Sequence, residues 1–283
     1  MDQPRTIAYL ITPTMVSEGA GVRLQRSFGP SRANPLDPFL LFDHFAFNEP
    51  IEEALVGFPT HPHRGIETVT YMLEGEVQHK DSLGNTGLIE PGDVQWMTAG
   101  GGIMHEEMPR PSPEGKVRGF QLWVNLPASL KMSAPRYQEV KAASIPTVDL
   151  AGVRLRVVAG DAVGASGPVT EIAASPLYLD VQIEAGASFN HSIPEGHTAI
   201  AYVFEGQGLF GDPAQEVSAF TMIVFSDGND LSVRAAPDAP LRFMLMVGAP
   251  FKEPAVPYGP FVMNTDEEIR QALADLRNGT FVK

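Results

Sequence analysis

Short apolar runs broken by turn residues cover most of the chain. YMLEGEVQH (71–79) leads through DSLGNTG (81–87) into LIEPGDVQWMTA (88–99). FQLWVNL (120–126), VRLRVVAG (153–160), LYLDVQIEAG (177–186), AIAYVFEG (199–206) and LRFMLMVG (241–248) repeat the pattern. Runs of this length, rich in β-branched and aromatic residues and bounded by turn formers, predict β-strands. The 27 glycines and 25 prolines are scattered between the runs, as frequent turns require. One segment has a different period. NTDEEIRQALADLRNG (264–279) places Ile269, Ala272, Leu273 and Leu276 on one face of a helix. Thr265 and Glu268 have capping-box spacing at its start, and Gly279 supplies its stop.

The strand pattern occurs twice. YMLEG (71–75) matches YVFEG (202–206). RGFQLWVNLP (118–127) resembles LRFMLMVGAP (241–250), with Phe120, Leu122, Val124 and Pro127 opposite Phe243, Leu245, Val247 and Pro250. Two similar all-β units in order predict a duplicated barrel or sandwich.

The copies differ where chemistry would sit. FPTHPHRGIETV (58–69) holds His61 and His63 at i and i+2, so both project from one strand face. A strand continuing to Glu67 keeps that parity. Two imidazoles so placed can share one metal ion; a surface HxH pair without a ligand is the alternative. In DVQWMTAGGGIMHEEMP (93–109), Gly100 to Gly102 predict a sharp bend, and His105 and Glu107 again share a face. Facing the first pair across a barrel, they would enclose one point with three imidazoles and a carboxylate. That donor set suits iron, nickel, copper or manganese, and an octahedral shell would keep two positions open. A local polar pair at a loop mouth is the competing reading. In the second copy, the offset between the YxxEG motifs puts Ser192, Pro194 and Thr198 opposite His61, His63 and Glu67. His191 and His197 lack the HxH spacing and are read as non-ligands.

Charge and cysteine content narrow the function. Twenty basic against 34 acidic residues give a net charge of −14, which opposes binding to nucleic acid phosphates. With no cysteine, disulfides, thiolate nucleophiles and Cys-held zinc are excluded, so any metal needs nitrogen and oxygen ligands. MDQPRTIAYLITPTM has no signal-peptide pattern, and no apolar run approaches about 18 residues. The expectation is a cytoplasmic protein with no membrane contact.

HPHRGIE (61–67) resembles the first cupin motif, and the whole chain resembles the pirin family. The matching stretches are DPFLLFDHF (37–45), HPHRGIETVTYMLEG (61–75), HKDSLGNTG (79–87), DVQWMTAGGGIMHEEMP (93–109) and EPAVPYGPFVMNTDEEIRQALADLRNG (253–279). The resemblance implies an all-β fold of two tandem cupin (jelly-roll β-barrel) domains with a short C-terminal α-helix. The expected division is a metal-binding domain at 1–135 and a domain lacking ligands at 136–283, ending in the helix at 264–279. It also implies one metal ion, iron(II) first, with nickel, copper, manganese, cobalt or zinc as alternatives. The ligands carried over are His61, His63, His105 and Glu107. Many cupins instead use the glutamate at position 67, and Glu67 has suitable parity too; the pirin pattern favours Glu107.

Two function classes follow from the resemblance. Bacterial and plant pirins are linked to quercetin 2,3-dioxygenase activity, which implies a flavonol and dioxygen as substrates. Animal members are linked to regulating transcription factors, with iron as a redox-sensitive switch and a protein as partner. In the enzyme reading, Glu107 doubles as ligand and base for the flavonol 3-hydroxyl. A monomer is expected. Arg64 should point away from the ligand face in a structural role, His44 should be a hydrogen-bonded histidine near the barrel, and His79 a polar turn residue. Phe58, Trp96, Met97, Ile103 and Phe120 are expected mostly in the core, with one or two lining an apolar pocket above the metal.

Overall fold

The computed structural model describes residues 3–47 and 57–282, the side chains of residues 46 and 47 excepted. The apolar runs form antiparallel strands, as their turn-bounded lengths predict, and the chain divides into two compact units. One unit comprises residues 14–142 and 251–283, the other residues 1–13 and 143–250.

Among the described residues, the first unit holds two larger sheets and a two-stranded one, Val256–Tyr258 with Phe261–Met263. Its seven-stranded sheet runs Arg136–Val140, Val94–Thr98, Ile66–Glu74, Val117–Asn125, Phe39–Phe47, Val22–Phe28, Thr14–Glu18. Its four-stranded sheet runs Phe58–His63, Ile103–Arg110, Glu76–Asp81, Thr86–Ile89. The second unit is built on a ten-stranded sheet around an apolar cluster in which Phe189, Phe210, Leu231 and Phe243 are each at most 2% exposed. The repeated motifs occupy equivalent places. In the first unit Ile66–Glu74 pairs with Val117–Asn125, and in the second Thr198–Phe210 pairs with Leu241–Gly248. The glycine closing each YxxEG motif has positive φ, +70° at Gly75 and +75° at Gly206. A Cβ there would lie 2.6 Å from the Lys116 carbonyl and 1.9 Å from the Pro240 carbonyl, so only glycine fits.

The unit boundaries differ from a consecutive division at 135/136. Ile7–Ile11 pairs with Thr221–Phe225, which assigns the N-terminal strand to the second unit. The last 33 residues, 251–283, belong with residues 14–142. Their helix, Asp266–Asn278, has the expected capping box: Thr265 Oγ1 accepts from the Glu268 N–H at 3.2 Å, and Glu268 Oε2 accepts from the Thr265 N–H at 2.9 Å. Gly279 ends it at φ +69°. Ile269 and Ala272 are buried against Val256, Phe261, Met263 and Phe281, with Leu273 packed beside them. Leu276 departs from the expected stripe at 37% exposed, because the inward position one residue earlier is taken by Asp275.

Asp275 is held by Arg64, which is 1% exposed. Arg64 Nη1 donates to Asp275 Oδ2 at 2.8 Å, Nε to the Gly101 carbonyl at 2.7 Å and Nη2 to the Phe281 carbonyl at 3.3 Å. Its guanidinium also lies over the Phe281 ring, 4.4 Å from the centroid. Arg64 therefore has the expected structural role, although it lies one residue past the strand Phe58–His63. Among the described residues no helix is long and apolar enough to cross a membrane.

Candidate metal centre

Strand register brings three histidines together. His61 lies directly opposite His105 on adjacent strands of the four-stranded sheet, and His63 is opposite Ile103. Cross-strand partners share a face, and so do residues i and i+2. The donor pairs thus stand side by side on one sheet, not across a barrel as the sequence suggested. A bulge between His105 and Glu107 shifts the register, so Glu107 lies opposite Phe58. The turn out of the HPH strand is fixed from beneath. Gly65 has φ +78°, and a Cβ would meet the Val262 carbonyl at 2.2 Å. The buried Lys131 ammonium donates to the carbonyls of Gly65 (2.8 Å) and Val262 (2.7 Å) and to Asn125 Oδ1 (2.5 Å). Burial pulls its pKa down to about 7.

The ring nitrogens have a specific arrangement. The Nδ1 of His61 is 3.0 Å from the Pro59 carbonyl, and that of His63 is 3.2 Å from the Pro260 carbonyl. A carbonyl only accepts, so both Nδ1 atoms carry the proton and both Nε2 atoms present lone pairs. Those Nε2 atoms are 3.2 Å apart. Two facing lone pairs repel unless a cation lies between them, and nitrogens about 2.1 Å from one shared ion can adopt this spacing. His105 is 1% exposed, yet neither ring nitrogen has a hydrogen-bond partner among the described residues. A buried imidazole left so is costly, and a metal ion would take up the lone pair of one of its two nitrogens. One nitrogen from each of the three rings lies within 4.8 Å of the others. Burial, with the neighbouring histidines, pushes His63 well down and His105 to about 3, which keeps both rings neutral and able to ligate near pH 7. The residues present therefore fit a transition metal.

The two candidate carboxylates part company. Glu107 is 6% exposed and accepts from Gln121 Nε2, 3.3 Å from each oxygen, and from Thr70 Oγ1 at 3.3 Å. The Trp123 indole donates to Gln121 Oε1 at 3.4 Å, extending the chain. Glu107 shares a cleft with His61 and His63, and its charge favours the protonated form of His63, but it lies outside the three-histidine group. Glu67 is elsewhere. Strand parity does not carry from His63 to Glu67, because the chain changes sheet at Arg64–Gly65. Glu67 stands on Ile66–Glu74 with parity opposite to Thr70 and accepts from Thr98 Oγ1 at 2.7 Å. Burial raises its pKa to about 7.

The cleft has a volume of about 510 Å³. Leu41, Phe58, Trp123, Pro257 and Pro260 give it apolar and planar walls. Arg26, the one cation among its described lining residues, is committed to Asp43 through two 2.8 Å bonds and to Glu18 at 2.8 Å. Of the five residues expected mostly in the core, Phe58 lines the cleft, and Trp96, Met97, Ile103 and Phe120 are fully buried. Sequence reasoning missed Gln121 and Trp123; a glutamine inside an otherwise apolar strand was the available signal. His79 is not a turn residue. It is fully buried within a strand, stacked on Tyr137 and paired with Glu139 at 2.5 Å. His44 is buried against Phe120, with ring centroids 5.0 Å apart.

The family model for pirin matches residues 21–124, and that for the pirin C-terminal cupin domain matches residues 178–282. A Pseudomonas aeruginosa relative, provisionally named quercetin 2,3-dioxygenase, is 44% identical over 289 residues, covering 99% of both chains. The chain belongs to the pirin family. Pirin from Homo sapiens is 44% identical over 265 residues, 93% of this chain and 89% of that one. A solved quercetin 2,3-dioxygenase from Acinetobacter baumannii has a TM-score of 0.89 at 38% identity, covering 98% of each chain. Two tandem cupin domains are thus shown, as the pirin resemblance implied, with a histidine triad in the first unit suited to a metal.

Proposed function

We propose that this pirin is a metal-dependent dioxygenase that opens flavonols such as quercetin with dioxygen, and that His61, His63, His105 and Glu107 hold the metal, iron(II) first. The observation that carries the reading is the set of ring nitrogens around buried His105, beside a carboxylate in a cleft large enough for a small aromatic molecule. When bound, the ion would supply Lewis acidity and redox access to dioxygen at open coordination positions.

The protein's own groups do the rest. The planar walls from Phe58, Trp123 and the two prolines stack against a flat ring system. With Arg26 engaged by Asp43 and Glu18, the cleft suits a neutral aromatic ligand over a polyanion. Glu107 takes the proton of the flavonol 3-hydroxyl, oriented by hydrogen bonds from Gln121 and Thr70. The products implied by the family's chemistry are a depside and carbon monoxide. The test is flavonol consumption at saturating oxygen, with metal content measured on the same sample. Turnover that scales with metal supports the reading. No turnover by metal-loaded protein across a flavonol panel moves it to a non-enzymatic metal-binding regulator with a protein partner.

A further inference from the structure

A second, smaller recess opens beside Glu107, inside the first unit. Its volume is about 30 Å³, against the roughly 10–15 Å³ that a single water requires. Its walls are the core side chains Val22, Leu24, Phe45, Phe58 and Val77, and no catalytic role assigned above uses it. The polar groups at its rim are already engaged. Glu107 accepts from Gln121 and Thr70, and Asp43 accepts twice from Arg26. A water there would find few partners on the remaining apolar surface, and it needs about 2–4. A nonpolar diatomic molecule loses nothing by leaving water for such a wall. Glu107, Leu24, Phe58 and Gln121 border both this recess and the cleft, so a molecule held in it lies next to the candidate reacting centre.

We propose that this recess is a docking site for dioxygen, an inference that rests on the dioxygenase reading for its biological use and its kinetic test but not for its xenon test. Xenon is a nonpolar probe of apolar recesses. Crystals of the parent protein pressurised with xenon should show density between Val22, Val77 and Glu107. Val77→Leu and Val22→Leu each enlarge a wall residue into the space and should abolish that density. Two variants are used because either alone could disturb packing, and thermal unfolding reports whether each is folded. In flavonol turnover, the KM for dioxygen should rise roughly three- to tenfold in the folded variants, with the KM for flavonol little changed. A recess without xenon in the parent, or one filled by an ordered water bonded to Glu107, overturns the proposal. So does an unchanged KM for dioxygen in a folded variant that has lost xenon. If metal-loaded parent turns over no flavonol, the dioxygenase reading fails, and the xenon result alone decides whether the recess takes a nonpolar gas.

Discussion

Replacing Arg64 by methionine tests how the HPH strand is anchored. The guanidinium is 1% exposed and its partner Asp275 is 12% exposed at the side chain, so the pair is screened little by water. Three hydrogen bonds leave this one side chain, two of them to the carbonyls of Gly101 and Phe281. Removing one partner of a buried ion pair typically costs about 3–5 kcal/mol, since the other charge stays buried and uncompensated. Gln271 Nε2, donating to Asp275 at 2.8 Å, offsets part of that. For a chain of this size the loss corresponds to a fall in Tm on the order of 10 °C. Arg64 adjoins His63, so metal occupancy should fall as well. The double variant Arg64→Met/Asp275→Leu removes both charges and fills the space with apolar atoms. It should be more stable than Arg64→Met alone by about 1 kcal/mol or more. Thermal and urea unfolding of the parent, both single variants and the double variant give the coupling energy. A change within about 0.5 kcal/mol for Arg64→Met, or strict additivity across the cycle, would refute the argument.

Other variants probe the helix, the carboxylates and the acid limb. Ile269→Asp puts an unpaired charge into the cluster around Phe261 and Phe281 and should lower Tm by several degrees; an unchanged melting curve would mean the helix contributes nothing to the fold. Glu107→Gln, reloaded with excess metal, should lose roughly 10²–10⁴ in flavonol turnover, because an amide cannot accept the substrate's proton. Glu67→Gln should cost far less, as Glu67 faces Thr98 on the other side of the strand, and a larger loss of metal there would restore it as the ligand. Burial, with Arg118 nearby, holds His44 at about 4, below its ordinary 6.5. The unfolded chain takes up that proton first as pH falls, so this stability is complete above about pH 6.5 and is lost towards pH 4, by about 3 kcal/mol. His44→Phe should flatten the acid limb of stability against pH; an equally steep limb would contradict the assignment.

Both same-face pairs are legible in the sequence because strand parity is local: His61 with His63, and His105 with Glu107, need only a period of two. Their neighbours are not legible. Register between the two strands depends on pairing, and a single bulge after His105 decides what stands opposite Glu107. Parity counting fails from His63 to Glu67 because Gly65, at φ +78°, turns the chain into another sheet. The helix is readable to its caps, since capping chemistry is also local, but Asp275 in place of Leu276 on the inner side follows from a partner 211 residues away. The same holds for Ile7–Ile11, whose partner strand is Thr221–Phe225. His79 has no local mark that separates a turn histidine from one sealed under Tyr137.

The central claim is a single metal at the histidine triad that enables flavonol oxidation. It is tested most directly by loading the protein with increasing metal and plotting the rate of flavonol consumption against metal bound per chain. The account predicts a rate that rises in proportion and levels off at one metal per chain, with His105→Ala binding little metal and showing little rate. A plateau at two metals per chain, full occupancy in His105→Ala, or a rate independent of bound metal would contradict it.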